Sequence, residues 1–253
     1  IRSLDFLPLN QRLQLLQPLF NDEVTSVRME VAASLAAVPL EQVTLTQQDA
    51  LSTLFAEYQS ILQQHADMPS TQLQLGVFHL ARQNVTAAEA AYREALFLNP
   101  QLIPAYMNLA DLKRATNNEP EARELLLKAL EVAPENGNAL HALGLLETRA
   151  KNKTKALDYL GRAAAVETTG TRHRYVYAIA QHDLQQPEDA INTLKSLVRS
   201  APGSQEALGA LVTYLREQGR IQEAQGYAQQ LVNLAPGNRN YQQLLQSLSV
   251  QAR

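Results

Sequence analysis

Alanine recurs at one fixed interval along most of the chain: Ala88, Ala122, Ala156, Ala190 and Ala224 each fall 34 residues after the last. Few features constrain a fold more, because a fixed period of this length means that one supersecondary unit is copied in space as well as in sequence. Other residue classes keep the same register. Pro100, Pro134, Pro202 and Pro236 share the step, and Thr168 stands where the missing proline would fall. Gly76, Ala110, Gly144 and Ala178 form a third series, and Leu75, Leu109, Leu143, Tyr177 and Leu211 a fourth, one residue earlier. Each repeat therefore reads as two antiparallel helices, with small residues where the backbones approach closely and a proline where the second helix stops.

Placing the small residue at the eighth position starts the repeats at Pro69, Ile103, Gly137, Thr171 and Gln205, giving the spans 69–102, 103–136, 137–170, 171–204 and 205–238. Local chemistry points to the same boundaries. Thr86-Ala-Ala-Glu89 has the spacing of a capping box that would open the second helix of the first repeat. Asn117-Asn118, Lys151-Asn152 and Gln218-Gly219 occupy the matching turn in other repeats, where such residues tolerate left-handed backbone. The fifth repeat has Val212 at the small-residue position, which predicts a slightly wider helix separation there. Residues 239–253 continue the register with Tyr241, Leu244, Leu245 and Leu248 on one face, and read as a helix that caps the apolar end of the array.

At these residues the chain resembles the tetratricopeptide repeat family. The match is carried by Leu75-Gly76, Ala88, Tyr92, Ala95 and Pro100 in the first repeat, and by Tyr106, Leu109-Ala110, Ala122, Ala129 and Pro134 in the second. The resemblance implies an all-α, right-handed superhelical solenoid of helix-turn-helix repeats over 69–253. The first 68 residues have no 34-residue echo but are helical in pattern. Leu13, Leu15, Leu16 and Leu19 precede or flank the breaker Pro18, and two longer helices are expected over Val24–Ala37 and Thr46–His65, the latter capped at Thr46-Gln-Gln-Asp49. The stretch from Asn21 to Ala36, with Asp22, Val27-Arg28 and its alanines, resembles the second helix of a HEAT repeat. The apolar stripe Ala50, Leu54, Phe55, Tyr58, Ile61 and Leu62 can pack onto the first tetratricopeptide repeat, with a soft boundary at Asp67-Met68-Pro69-Ser70.

Composition excludes several alternatives. With 45% apolar and 19% charged residues, the chain can fill a long core dominated by Leu and Ala. A net charge of −3 supplies no basic field for general nucleic-acid binding. No run of eighteen apolar residues is present, so no membrane-inserted helix is expected. The absence of Cys removes disulfides, thiol catalysis and zinc-thiolate sites. A start at Ile1 without an initiator Met or signal peptide fits a mature or excised fragment.

Catalytic signatures are missing too: no Gly-rich phosphate loop, paired-His metal motif or nucleophile elbow occurs, and no catalytic, cofactor or metal residue is assigned. His79 falls at an inner packing position and His65 at a helix end. His141 and His182 lie on first helices and read as ligand contacts ahead of metal ligands, since spacing does not put them on one helix. Function then rests on surfaces. In tetratricopeptide proteins the first helices line a groove that accepts a peptide or a partner helix. The resemblance puts Leu73, Val77, Met107, Asp111, His141, Leu145, Tyr175, Ile179 and His182 on that groove, with Asn108, Arg114, Arg149, Arg172 and Arg216 around it. Apolar pockets rimmed by arginine suit an amphipathic or acidic protein segment, and where Arg172-His173-Arg174 sits against a helix N-terminus the charge is open to a partner's anion, to a carboxylate such as Glu167 or to plain solvation. The clamp that grips C-terminal carboxylates in some co-chaperones is not matched: Leu73, Val77, Asn108, Asn138 and Ala142 stand at its positions, and only Asn108 agrees.

A second resemblance, through Asn108–Arg114 and Arg174–Ala180 after the HEAT-like start, is to the C-terminal repeat region of bacterial periplasmic multihaem c-type cytochromes. It implies a docking region in the periplasm, with no cofactor in this chain, which lacks Cys-x-x-Cys-His, and haem c confined to a longer parent. The alternatives are a free-standing cytoplasmic adaptor and the regulatory region of an enzyme whose catalytic domain lies elsewhere.

Overall fold

In the computed structural model, which describes residues 1, 4, 6–166 and 170–251, every regular element is helical. The chain divides into two compact units, Ile1–Val132 and Ala133–Arg253. The first holds α1 (Leu9–Leu16), α2 (Thr25–Leu35), α3 (Leu45–Gln63), α4 (Pro69–Ala81), α5 (Val85–Leu98), α6 (Ile103–Ala115) and α7 (Glu119–Val132). The second holds α8 (Gly137–Arg149), α9 (Lys153–Ala165), α10 (Gly170–Asp183), α11 (Pro187–Ser200), α12 (Gln205–Glu217), α13 (Ile221–Leu234) and α14 (Arg239–Gln251). Thr168 and Glu167, named above as the missing proline position and as a candidate carboxylate partner, lie outside the described residues.

The helix pairs α4/α5, α6/α7, α8/α9, α10/α11 and α12/α13 pack through a size rule that the 34-residue register enforces. A Cβ added at Gly76 would lie 2.3 Å from Cε1 of Tyr92, and one added at Gly144 would lie 2.5 Å from Cγ of Leu160. The small residue on the first helix thus receives a large one sixteen positions later on the second. Ala110 with Leu126 and Ala178 with Leu194 keep the rule, all four being buried. In the fifth repeat the large side chain is Val212, and the residue sixteen later is Ala228, both buried. Large and small have exchanged helices, so the extra volume of Val212 is met by the volume that Ala228 gives up.

Each intra-repeat turn places one residue in the left-handed region, again at the 34-residue step: Gln83 (φ 61°), Asn117 (60°), Lys151 (59°), Gln185 (65°) and Gly219 (70°). The next residue opens the second helix. Asn84 and Asn152 accept hydrogen bonds from the amides of Ala87 and Lys155. Thr86 is therefore not the cap of α5, and the capping box expected at Thr86–Glu89 is replaced by Asn84, which leaves Glu89 to make ion pairs. The N-terminal part is corrected in the same way. Pro18 sits inside a 3₁₀ turn (Gln17–Leu19), and α3 is opened by Thr44, whose hydroxyl accepts from the Gln47 amide in a full capping box one residue pair earlier than Thr46–Asp49. Helices α2 and α3 are accordingly shifted and shortened relative to Val24–Ala37 and Thr46–His65.

The three N-terminal helices share a core with the first repeat: Val31, Leu35, Leu51, Phe55 and Tyr58 cluster with Leu75 and Phe78. Arg82, at the end of α4, donates from Nη1 to the carbonyls of Ala36 (3.1 Å) and Val38 (2.7 Å) and lies 4.9 Å above the Phe55 ring. It ties the end of α2 to the repeat by satisfying carbonyls that follow the helix. At the other end of the chain, α14 buries Leu248 and packs Tyr241, Leu244 and Leu245 against the core of the second unit.

Charges reinforce the stacking of second helices. In the first unit Lys113, only 10% exposed, reaches Glu89 (2.6 Å) and Glu121 (3.0 Å), while Arg93 pairs with the same two carboxylates. In the second unit Lys195 (2.6 Å) and Arg220 (2.7 Å) converge on Glu223. The hydrogen bond from Lys113 holds Glu89 below the ordinary carboxylate range against the opposing effect of burial. Burial pushes Glu121 up, but hydrogen bonds from Lys113 and Arg93 outweigh it and leave the group lowered. Glu223 is pulled down to about 2, first by Arg220 and then by Lys195.

Three outcomes follow from these contacts. Overpacking costs ~1–3 kcal/mol and exceeds the ~1 kcal/mol of helix propensity that alanine gains over glycine, so Gly144→Ala should lower unfolding free energy in urea titrations, and the same substitution should cost less in a Leu160→Ala background. Gln185→Gly should stabilise by roughly 0.5–1 kcal/mol and Gly219→Ala should do the opposite, because only the former relieves a side chain at positive φ. Carboxylates lowered in the folded state contribute stability that is present above their unfolded value and lost as pH falls through the folded one. Stability should thus decline from about pH 4.5 toward about pH 2, and Lys113→Met should flatten that decline in acid-unfolding curves.

Candidate functional site

The candidate surface is built from first helices, in which residues four apart share a face. Each compact unit carries its own part. In the first, Leu73 and Val77 of α4 and Asn108 of α6 line a cavity of 640 Å³. Its other walls include Met29 and Ala33 of α2, Tyr58 of α3 and Phe78. Val77 is 50% exposed, so this face offers apolar surface to a ligand. Asn108 is held by a hydrogen bond with Tyr92, whose hydroxyl is pushed up to about 12, chiefly by burial and against the effect of that bond. Met107 is half-buried, and the exposed Asp111 pairs with Arg114 at 3.4 Å. The contribution of α2 and α3 was not anticipated from sequence. Ala33 and Ala36, from the stretch that resembles a HEAT helix, line this cavity together with Ala37.

In the second unit, His141 and Leu145 stand on α8, Arg172, Tyr175, Ile179 and His182 on α10, and Arg216 on α12. Tyr175 and Ile179 are half-buried and pack at the edge of the core. The histidines do not come together as a metal site. The ring of His141 meets that of His173 with centroids 4.6 Å apart and planes at 83°, an edge-to-face contact and not a chelate. The Nδ1 atom of His141 is buried without a hydrogen-bond partner. Burial first, then the positive fields of His173 and Arg172, hold the His141 imidazole down to about 4, so it is neutral at pH 7. His182 is engaged elsewhere: its ring stacks on Tyr214 at 3.7 Å and its Nε2 lies 2.6 Å from Glu217 Oε2. Among the described residues, no group of three or more His, Cys, Asp or Glu could hold a metal ion, and no helix is long and apolar enough to cross a membrane.

The arginines fall into distinct environments. Arg174 donates to Ser200 (3.4 Å), and Arg149 is engaged by the surrounding protein. Arg172, in the first turn of α10, and Arg216, in the last turn of α12, are exposed and form no ion pair among the described residues. Arg172 shares α10 with the half-buried Tyr175 and Ile179.

Tetratricopeptide repeat family profiles match residues 56–103, 107–170 and 182–248. By sequence, the chain is similar to "Protein CTR9 homolog" of Arabidopsis thaliana, with 42% identity over 99 residues covering 37% of this chain and 9% of that protein. It is also similar to "Anaphase-promoting complex subunit 3" of Schizosaccharomyces pombe, with 22% identity over 142 residues covering 55% of this chain and 21% of that one. The matched stretches are thus a small part of either relative. Among solved structures, MamA superposes with a TM-score of 0.58 at 19% identity, covering 68% of this chain and 94% of its own. YrrB, described as a TPR protein with an unusual peptide-binding site, gives 0.56 at 17% identity over 73% and 95%. Yeast Tom70 gives 0.58 at 17% identity over 96% and 58%. At these identities the superpositions speak to the fold. The periodic residues, the paired helices and profile matches over most of the sequence agree, and the chain belongs to the tetratricopeptide repeat family.

Proposed function

We propose that this chain is a non-catalytic scaffold whose first helices bind a segment of a partner protein, and that the segment is amphipathic and acidic. The observation that carries the reading is the pair of exposed arginines that form no ion pair among the described residues: Arg172, on the same helix as the half-buried Tyr175 and Ile179, and Arg216 on α12. Apolar side chains of a segment would pack on Tyr175, Ile179 and Leu145, and its carboxylates would take charge-assisted hydrogen bonds from the guanidinium groups. The peptide-binding site named for YrrB supports the general mode for this fold. In the first unit, the cavity beside Leu73, Val77 and Asn108 supplies a second apolar foothold of 640 Å³, large enough to take several side chains.

Binding of a synthetic helix with leucines on one face and glutamates on the other, followed by fluorescence anisotropy, tests this reading. An exposed charge-assisted contact contributes about 1 kcal/mol, so Arg172→Gln and Arg216→Gln should each weaken binding about fivefold, and the double variant should show a flatter salt dependence. Affinity and salt slope unchanged in the double variant would sink the proposal.

A further inference from the structure

Charge is unevenly spread along this chain, and part of that unevenness is left over once the fold is accounted for. Residues 148–182 hold seven of the 22 Lys and Arg but two of the 25 Asp and Glu, a local +5 on a chain whose remainder is −8. Three of the seven, Lys151, Lys153 and Lys155, follow one another across the turn into α9; all are exposed, and none forms an ion pair among the described residues. Nothing in the fold calls for them. Positive charge in the first turn of a helix opposes its dipole, and the other second helices of this unit open on acids, Glu188 and Asp189 in α11 and Glu223 in α13. The 34-residue step puts Lys155 level with Glu121, Asp189 and Glu223. Glu121 and Glu223 are each held by a cation 28 residues earlier, Arg93 and Lys195, whereas the residue 28 before Lys155 is Leu127. Nor does the backbone need Lys151 at its positive φ of 59°, since Gln83 and Gln185 hold the same turn position.

We infer that this lysine edge is a landing site for a run of Asp and Glu flanking the segment bound on the first helices, so that the partner is an amphipathic helix continued by an acidic stretch. The inference rests on the reading that the first helices of the second unit take such a segment. His182 of α10 reaches Glu217 of α12 at 2.6 Å, so neighbouring first helices end side by side, and the end of α8 runs through Lys151 into the lysines of α9. Leu145 stands four residues, about 6 Å along the axis, before the end of α8, so a few extended residues of a partner span the distance. An acidic run leaving over α10 would instead meet the exposed Asp183, Glu188 and Asp189 and be repelled. The partner therefore leaves over α8. Exposed lysines of this kind act mainly on encounter: they raise the association rate at low salt and add little to the contacts that hold the complex. An acidic protein segment fits better than nucleic acid, because a duplex would extend past the edge into the field of a remainder that carries −8.

Stopped-flow fluorescence with the intact chain tests this, comparing the leucine–glutamate helix described above with the same helix carrying six added glutamates at each end. At about 50 mM salt the extended helix should associate about fivefold faster than the unextended one, and at about 500 mM the advantage should vanish. The triple variant Lys151→Gln, Lys153→Gln, Lys155→Gln should abolish the advantage at low salt while leaving both dissociation rates within about twofold. A control that removes the same charge from exposed positions elsewhere, Lys128→Gln, Arg199→Gln, Arg239→Gln, should keep it. The lysine variant should also unfold at a urea concentration equal to or above that of the unsubstituted chain, since charges opposing a helix dipole are gone. A lower midpoint would assign the lysines to the fold and overturn the inference. Equal association rates for the two helices, an equal loss in the control variant, or tighter capture of duplex DNA than of the extended helix by the same lysines overturns the landing site alone. Absence of binding by the unextended helix overturns the docking reading and the landing site with it.

Discussion

Everything in this structure depends on how closely the two helices of each repeat approach. Gly76 against Tyr92 and Gly144 against Leu160 leave no room for even one additional carbon. That constraint fixes which residue of the second helix lies opposite which residue of the first, and hence the rotation of both helices. Once α4 is seated by Tyr92 against Gly76, Leu73 and Val77, roughly 60° and 100° round the helix from Gly76, fall on the flank beside that contact. The surface that the first helices present is thus a by-product of interior packing. The exchange of Val212 and Ala228 in the fifth repeat shows that the summed volume is what matters, since the large partner can come from either helix.

Turns and charges hold this packing in register. A left-handed residue at five matching positions sets the reversal between helices, with Asn84 and Asn152 capping the helix that follows, while Lys113 and Lys195 anchor carboxylates on second helices. Where a first-helix cation does have a carboxylate nearby, as Arg114 has Asp111, its charge is partly used. Arg172 and Arg216 form no such pair among the described residues.

Much of this was legible in the linear sequence because the signals are local or periodic. A 34-residue step needs no knowledge of distant contacts, and positions such as His141 with Leu145, or Tyr175 with Ile179, inherit their common face from helix geometry. What escaped was chemistry without a distinctive residue type or with a distant partner. Gln83 and Gln185 take the left-handed turn position with no glycine or asparagine to mark it. Asn84 displaces Thr86 as a cap because both residue types can accept the amide bond and only the backbone path decides between them. His182 is committed to Glu217 across 35 residues, a pairing set by the stacking of neighbouring repeats. The walls that α2 and α3 lend to the first-unit cavity lie in the segment that lacks the period, where a HEAT-like pattern pointed to helices and not to their placement.

The central claim is that ligand recognition lies on first helices and is anchored in the second unit by Arg172, Tyr175 and Ile179. Chemical-shift mapping of the isotopically labelled chain with the leucine–glutamate helix tests it most directly. The account predicts perturbations grouped on α8, α10 and α12, strongest around Arg172, Tyr175, Ile179 and Leu145. Perturbations grouped on α9, α11 and α13, with those residues silent, would contradict it.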